Sequence, residues 1–372
     1  MLKKRVIHQK RDTLGRTFQV GFRYLALSAV SSSSVLFAGC VPSFDDDTSR
    51  ITSNRILGVR VEPAEPKPGV SVQLVALYAG PSADKPPKTE VLTWNACNQR
   101  RAPVEPGPVA QECVAVFGTS SDSLEDLGQG GQVEFQLPQD VCRHFGPLAP
   151  PVAEGSNVAG SPATPDQTGG YYQPVLLGPE GASTEATLTA VRLFCGGANL
   201  PQDELIIFNR GYRPNENPEI DELELRLDGK DKALKLDDAE VAVGAKLNLK
   251  ISWAECPQES ECGDGLCTAG ENATDCAEDC REGAVGCTGA ERYLLADPET
   301  RRVVEQTEAI EVSWFSTDGA FDASITDNNE QITESVNHWT APEEPGLVRI
   351  WLVVRDSRRG TTWRDFTLTV TD

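Results

Sequence analysis

Apolar and polar residues alternate along several short stretches of this chain. The clearest is 70–78, where every second residue is apolar. The same alternation recurs at 223–227, where leucines alternate with charged residues, and at 247–253. A period of two places one face of a strand in a core and the other face in water. These stretches therefore predict half-buried β-strands.

Further short strands are predicted between turn residues, at 56–61, 90–97, 133–137, 186–195, 205–208, 310–314, 347–354 and 366–370. Many short strands separated by turns are typical of a β-sandwich. Between them, residues 146–170 contain five Gly and five Pro among 25 residues. So many helix- and strand-breaking residues predict a long mobile loop.

The two halves of the chain repeat one plan. Gly69 precedes Trp94 by 25 residues, whereas Gly244 precedes Trp314 by 70 residues, and each tryptophan ends a similar strand pattern. The surplus in the second half contains six cysteines, which indicates an insertion between two strands. We therefore predict an all-β chain of two sandwich domains, at 55–211 and 212–372, with a disulfide-rich insertion at 256–287 in the second.

From Trp314 onward the sequence resembles bacterial immunoglobulin-like and PKD-type modules over about 60 residues. The resemblance is carried by Trp314-Phe-Ser-Thr-Asp-Gly-Ala-Phe321, Trp339-Thr-Ala-Pro342, Gly346-Leu-Val-Arg-Ile350 and Val354-Arg-Asp-Ser-Arg-Arg-Gly360. It implies immunoglobulin-like sandwiches in which tryptophan is a buried core residue, the role expected of Trp94 and Trp314. Stacking on carbohydrate by three other tryptophans stays open: Trp339, Trp351 and Trp363.

The amino terminus has the order of a secretory signal. Residues 1–39 carry seven basic and one acidic side chain ahead of an apolar run. The run ends Val35-Leu-Phe-Ala-Gly-Cys40, which resembles the lipobox of bacterial lipoproteins. The resemblance implies a cleaved signal peptide at 1–39, lipidation of Cys40, a tether over 40–54 and attachment to the membrane through lipid. Val41 after the cysteine is compatible with delivery to the outer membrane, and an uncleaved amino-terminal anchor is the alternative.

The cysteines fit an extracytoplasmic protein with disulfide bonds. The chain has 11, and setting Cys40 aside for lipid leaves an even number. We expect disulfides within a first group of four and a second group of six: Cys97, Cys113, Cys142 and Cys195, then Cys256, Cys262, Cys267, Cys276, Cys280 and Cys287.

The most specific motif is Cys262-Gly-Asp-Gly-Leu-Cys-Thr-Ala-Gly-Glu-Asn-Ala-Thr-Asp-Cys-Ala-Glu-Asp-Cys280. It is similar to an element, CGDGxCxxGExxxxCxxDC, of secreted and surface proteins of myxobacteria and their relatives. The resemblance implies a location outside the cytoplasm and a disulfide-linked knot. Cys256 and Cys287 flank the motif, and we expect them to pair with each other. The inner four cysteines leave three pairings open.

Metal binding is the alternative reading of this motif. Zinc is disfavoured because the spacings are irregular and the chain carries a secretion signal. Calcium remains open, since the motif offers four hard oxygen ligands on a compact loop: Asp264, Glu271, Asp275 and Asp279. The other reading is a solvated acidic loop.

Charge and motifs narrow the function. The net charge is −22, and no basic stripe follows the first 25 residues, so nucleic acid is excluded as a partner. The chain contains no nucleophile elbow, zinc-protease helix or nucleotide-binding loop, so we expect no catalysis and no organic cofactor. The expected function is non-catalytic binding or adhesion at the cell envelope, to an envelope protein or surface glycan. The alternative is a structural or assembly lipoprotein that holds a partner complex at the outer membrane.

Overall fold

A computed structural model describes most of the chain after residue 47. It covers residues 48–372 except 103–104, 106, 149–162, 180–185, 198–199, 230–232, 237–238, 258–261, 270, 281–285 and 328–331. The described residues belong to one compact unit. The signal peptide, Cys40 and most of the tether lie outside them, as does the middle of the 146–170 loop.

The first half of the described chain forms two antiparallel sheets around one core. The three-stranded sheet has the order β1 (Arg55–Glu62), β2 (Ser71–Ala79) and β5 (Gln132–Gln136). The four-stranded sheet has the order β4 (Leu124–Gln129), β3 (Leu92–Cys97), β6 (Tyr171–Pro179) and β7 (Thr187–Leu193).

Alternation along β2 produces this core. Val72, Leu74 and Ala76 point inward and pack against residues of the opposite sheet, among them Trp94. Trp94 is fully buried, and its indole N–H donates to the carbonyl of Gly130 at 2.7 Å. The buried ring therefore keeps its one polar group satisfied, as a core tryptophan requires.

The second half forms a sandwich of two five-stranded sheets. One has the order β10 (Glu240–Ala242), β19 (Thr361–Thr371), β18 (Gly346–Asp356), β14 (Ile310–Ser316) and β16 (Ile325–Asp327). The other has the order β15 (Ala320–Phe321), β17 (Glu334–Thr340), β11 (Lys246–Ser252), β8 (Glu222–Leu227) and β9 (Ala233–Leu234).

Register in the second sandwich follows the leucine patterns. Leu247 pairs with Leu227 and Leu249 with Leu225, so one apolar face of β8 and β11 enters the core. Trp314 is buried there, as predicted. Trp339 is 0% exposed and Trp351 only 3%. The hypothesis that these two rings stack on a carbohydrate is therefore wrong.

The described residues include three short α-helices: α1 (Gln111–Ala115), α2 (Val141–His144) and α3 (Gln202–Gly211). The strand predicted at 205–208 is therefore wrong, because a run of four apolar residues does not distinguish a strand from a helix. Asp203 and Glu204 in the first turn of α3 favour its helical start. Among the described residues, no helix is both long enough and apolar enough to cross a membrane.

The chain leaves the second sandwich after β11 and returns at β14. This excursion contains the cysteine-rich element and a hairpin of β12 (Arg292–Ala296) and β13 (Val303–Thr307). Its two ends lie side by side, since a Cβ on Gly289 would sit 2.0 Å from the carbonyl oxygen of Ala254. The fold is thus all-β, with two immunoglobulin-like sandwiches and a disulfide-rich insertion in the second, which confirms the predicted fold class. The exact domain limits stay a prediction.

Candidate functional site

The segment between the two sandwiches is buried and hydrogen-bonded to both. The backbone N–H of Asn215 donates to Glu65 Oε2 at 3.0 Å, and the side-chain amide of Asn215 donates to Asp356 at 3.1 Å. Asn217 donates to the carbonyl of Val61 at 2.8 Å and accepts the N–H of Thr361 at 2.9 Å. The linker (Tyr212 to Asn217) therefore ties the first half to the second.

A buried ion pair lies on the first-sandwich side of this linker. Arg192 on β7 donates to Glu65 Oε2 at 3.0 Å, and both side chains are almost fully buried. Tyr212 donates its hydroxyl to the other oxygen of Glu65 at 2.6 Å. Arg192 also donates to the hydroxyl of Thr168 at 2.7 Å. Every oxygen of Glu65 thus has a donor, which offsets the desolvation of its charge.

A second buried guanidinium lies on the other side. Arg358, in the turn between β18 and β19, is 0% exposed and donates to Glu308 Oε1 at 2.6 Å. It also donates to Glu291 and to the carbonyl of Arg213. Its guanidinium lies 4.7 Å from the ring centroid of Tyr293, within cation–π range. Arg358 is thus surrounded by partners far away in the sequence.

Desolvation dominates the electrostatics of this region. Burial raises the pKa of Glu291 to about 7 and the pKa of Glu308 well above its ordinary value, although Arg358 opposes both shifts. Burial also raises the pKa of Asp356. We call the set Glu65, Arg192, Glu291, Glu308, Asp356 and Arg358 the junction cluster.

The structure pairs all ten cysteines after Cys40 into five disulfides. The bond between Cys256 and Cys287 is the expected link across the base of the insertion. The other four are Cys97–Cys113, Cys142–Cys195, Cys262–Cys276 and Cys267–Cys280. The inner four cysteines thus adopt one of the three pairings that the sequence left open.

Carboxylates replace regular backbone pairing inside the cysteine-rich element. Asp279 accepts the backbone N–H groups of Gly263 and Gly265, the second at 3.0 Å. Glu271 accepts the N–H of Thr268 at 2.9 Å, and Asp264 accepts that of Leu266 at 2.8 Å. Since the described part of this segment has no strands, side-chain oxygens accept from backbone N–H groups that would pair with a neighbouring strand in a sheet.

The four proposed calcium ligands do not converge as a set. Glu271 and Asp279 are buried and lie close together, beside Cys276. Asp264 and Asp275 are exposed and belong to no such group among the described residues. Asp275 instead accepts the side-chain amide of Asn272 at 2.7 Å. One carboxyl oxygen of Glu271 is buried and accepts no hydrogen bond from the residues that the structure describes.

Arg213 joins the cysteine-rich element to the linker. Its guanidinium donates to the carbonyl of Glu271 and, at 2.9 Å, to the sulfur of Cys267. The same side chain donates to the carbonyl of Tyr212 at 2.8 Å. Burial lowers the pKa of Arg213, and the nearby Glu271 opposes that shift. One side chain therefore fixes the element beside the junction cluster.

A cleft of about 280 Å³ opens next to the junction cluster. Loop 163–169, the end of β7, helix α3 and the β12–β13 hairpin form its walls. The lining includes charged residues, Glu65, Asp297 and Arg301, and four aromatic residues: Tyr171, Phe194, Phe208 and Tyr212. Burial raises the pKa of Tyr171 to about 12. Clefts where domains meet are common ligand sites.

The two histidines of the described chain lie on different sandwiches. His144 contacts Asp140 at 3.3 Å in the first, and His338 contacts Asp322 at 3.7 Å in the second. This placement builds no triad from them.

The sequence analysis missed the junction cluster entirely. Arg358 lies in Asp-Ser-Arg-Arg-Gly, which is typical of an exposed turn, and Glu65 lies between prolines. The segment Tyr212 to Asn217 is polar but contains no Gly, and this signal could have marked the linker as structured.

Comparisons with known proteins add little to this picture. No family model and no curated protein matches the chain. Among solved structures, the D0–D1 domain of intimin is 9% identical over 84% of this chain and 98% of its own, with a TM-score of 0.19. Invasin, a bacterial integrin-binding protein, is 10% identical over 86% of this chain and 39% of its own, with a TM-score of 0.18.

A nucleoside hydrolase-related protein from Saccharophagus degradans is 11% identical over 42% of this chain and 26% of its own, with a TM-score of 0.17. This chain also covers 24% of PorU from Porphyromonas gingivalis, and so spans about a quarter of both proteins. Likenesses at these TM-scores carry no argument about function.

Proposed function

We propose that this protein is a non-catalytic binding or adhesion module of the cell envelope. In this proposal Cys40 carries the lipid, the outer membrane is the anchoring membrane, and the sandwiches lie outside the cytoplasm. The five disulfides support an extracytoplasmic location, because such bonds persist in oxidising compartments.

The observation that carries the proposal is the buried linker. Asn215 and Asn217 hydrogen-bond to both sandwiches, and Arg213 attaches the cysteine-rich element to the same segment. Elements that cannot move independently present their loops in one fixed arrangement, which lowers the entropic cost of binding a partner. The cleft beside the junction cluster is the surface we assign to the ligand.

A structural or assembly lipoprotein is the second candidate. Helix α3 exposes two neighbouring apolar side chains, Ile206 at 46% and Ile207 at 54%. Exposed apolar surface next to a structured junction fits a permanent protein partner better than a glycan. The two candidates therefore differ in which surface is occupied.

Site-specific photo-cross-linking in intact cells separates them. A cross-linking residue is placed at Arg301 on the cleft rim, at Ile207 on α3, or at Glu134, an exposed control position on β5. Capture at Arg301, absent at Glu134 and lost in Cys40→Ser, is the result expected of the binding module. Stoichiometric capture of one envelope protein at Ile207 alone would favour the assembly role, and equal capture at all three positions would contradict both.

Protease treatment of intact cells then tests orientation. A surface module loses its cysteine-rich element without lysis, whereas an assembly lipoprotein inside the envelope is protected until lysis. Calcium binding by Asp264, Glu271, Asp275 and Asp279 stays a sequence-based prediction and is not part of this proposal.

A further inference from the structure

The junction cluster contains more buried acid than base. Four buried carboxyl groups face two buried guanidinium groups: Glu65, Glu291, Glu308 and Asp356 against Arg192 and Arg358. Full ionisation would leave a net charge of −2 on residues that are at most 7% exposed. An uncompensated buried charge costs several kcal/mol, and a carboxyl group avoids this cost by taking up a proton.

We propose that Glu291 and Glu308 form a proton-binding pair across Arg358, and that this shared proton makes the junction of the two sandwiches sensitive to pH. One carboxylate of the pair suffices to neutralise the guanidinium between them. The second then carries the proton. No bond other than the O–H bond forms or breaks.

The geometry sets two carboxyl groups against one cation. Arg358 donates through Nε to Glu308 and through Nη2 to Glu291, so the two carboxyl groups compete for one cation. The second oxygen of Glu291, Oε2, is buried and accepts no hydrogen bond of ordinary geometry within the described residues, although the backbone N–H of Glu216 favours the ionised form of this carboxyl group. A carboxylate left half unpartnered is the member that gains most from protonation.

Other charged and titratable groups face this pair from every element packed against it. Asp356 precedes Arg358 in its own turn, Tyr293 lies on β12, and Glu216 and Tyr212 lie on the linker. Glu65 and Arg192 lie on the first sandwich. Asp356 and Glu216 add negative potential, which favours the proton, whereas Arg192 opposes it. The acids outnumber the bases on this list, so its members favour protonation on balance.

The shifts of the pair agree in direction. Burial, opposed by Arg358, raises the pKa of Glu291 to about 7 and the pKa of Glu308 well above its ordinary value. A carboxyl group with a raised pKa in the folded state stabilises that state below the pKa of the unfolded chain. The stabilisation is lost as pH rises through the folded-state pKa. The junction therefore tightens in acid and loosens from about pH 5 upward through neutrality.

Thermal and urea unfolding of the full chain, with its disulfides formed, tests the proposal between pH 5 and pH 8. Because the folded state holds one proton more, the unfolding constant of the native sequence should rise by up to about tenfold per pH unit. Glu291→Gln keeps the shape and removes the ionisation, so this rise should flatten. Glu305→Gln, on the exposed face of the neighbouring β13, is the matched control and should keep the native slope.

Parallel slopes for the native chain and Glu291→Gln would overturn the proposal. Should Glu291→Gln not fold, Glu308→Gln removes the other member of the pair and predicts the same flattening. Carbon-13 NMR of glutamate carboxyl groups provides a reading on the native chain alone. A carboxyl resonance that titrates above pH 6 is expected, and titration of every glutamate below pH 5 would contradict it.

Discussion

The cysteine-rich element and the junction cluster solve the same problem in opposite ways. The described part of the element contains no strand, and the junction joins side chains from separate strands and turns, so ladder hydrogen bonds hold neither of them together. The element uses three covalent bonds among Cys256 to Cys287, together with carboxylates that accept N–H groups of their own turns. The junction uses no covalent cross-link but hydrogen bonds and ion pairs of side chains, some of them to backbone groups, with donors and acceptors separated by up to 156 residues.

The difference lies in what the acidic residues do. In the element, Asp264 and Asp275 stay in water and organise local turns, so their charge costs little. In the junction, Glu291 and Glu308 lose water and depend on one guanidinium. Acidic composition therefore does not reveal whether a carboxylate stabilises or destabilises the folded state. The hydrogen-bond and charge partners of that carboxylate determine its effect.

Removing the central cation of the junction should have the largest effect. Arg358→Met leaves Glu291 and Glu308 buried without their donor, and we expect a loss of about 3–5 kcal/mol in the free energy of unfolding. Urea denaturation measures it. Arg349→Met, which breaks a partly exposed pair with Asp365, should cost at most about 1 kcal/mol. Equal losses in the two variants would contradict the distinct role of the junction.

Opening the base of the element should come next. The bond Cys256–Cys287 closes a separation of 31 residues, for which chain entropy predicts a loss of about 4 kcal/mol on replacing both cysteines by Ala. The bond Cys267–Cys280 closes only 13 residues, and its removal should cost about 3 kcal/mol. Denaturation of the two double variants compares them. A reversed order would show that local strain or packing, not loop closure, sets the stability of the element.

Separating the two regions should have a moderate effect. Arg213→Ala removes the donors to Glu271 and Cys267, and we expect a loss of about 1–2 kcal/mol. Limited proteolysis should show faster cleavage in the element while the sandwiches stay intact. Arg210→Ala, an exposed neighbour on α3, is the control. Unchanged cleavage in Arg213→Ala would mean that disulfides alone position the element.

Calcium should have the smallest effect. Asp279 already accepts two N–H groups, and Asp264 and Asp275 point to separate turns. Millimolar calcium chloride is therefore expected to shift the melting temperature no more than sodium chloride of equal ionic strength. A larger shift that disappears in Asp279→Asn would establish calcium as a ligand and reverse the reading of these carboxylates.

Sequence patterns predicted the parts of this fold that depend on local periodicity. Alternation placed Val72 and Leu74 in one core and Leu247 and Leu249 in the other, where the structure has them. Alternation did not predict the burial of Trp351, because a period of two separates the two faces of a strand without showing whether either face is exposed to solvent. In β18 both faces are covered over most of their length.

The junction cluster was out of reach for a different reason. Arg358 is buried because Glu291 and Glu308 surround it, and these partners lie 67 and 50 residues away in the chain. No local pattern records such an encounter. Turn sequences rich in charge are normally exposed, so the local signal pointed the wrong way.

The burial of the linker bears on how this architecture can be inherited. A recombination event between the sandwiches would separate Glu65 and Arg192 from Asp356 and Arg358. It would also leave Asn215 and Asn217 with partners from only one of the two sandwiches. Each separated sandwich would then carry charged junction residues that have lost their partners. Immunoglobulin-like domains that share few contacts can be recombined one at a time. These two sandwiches share a buried junction, so we expect them to be duplicated or lost together.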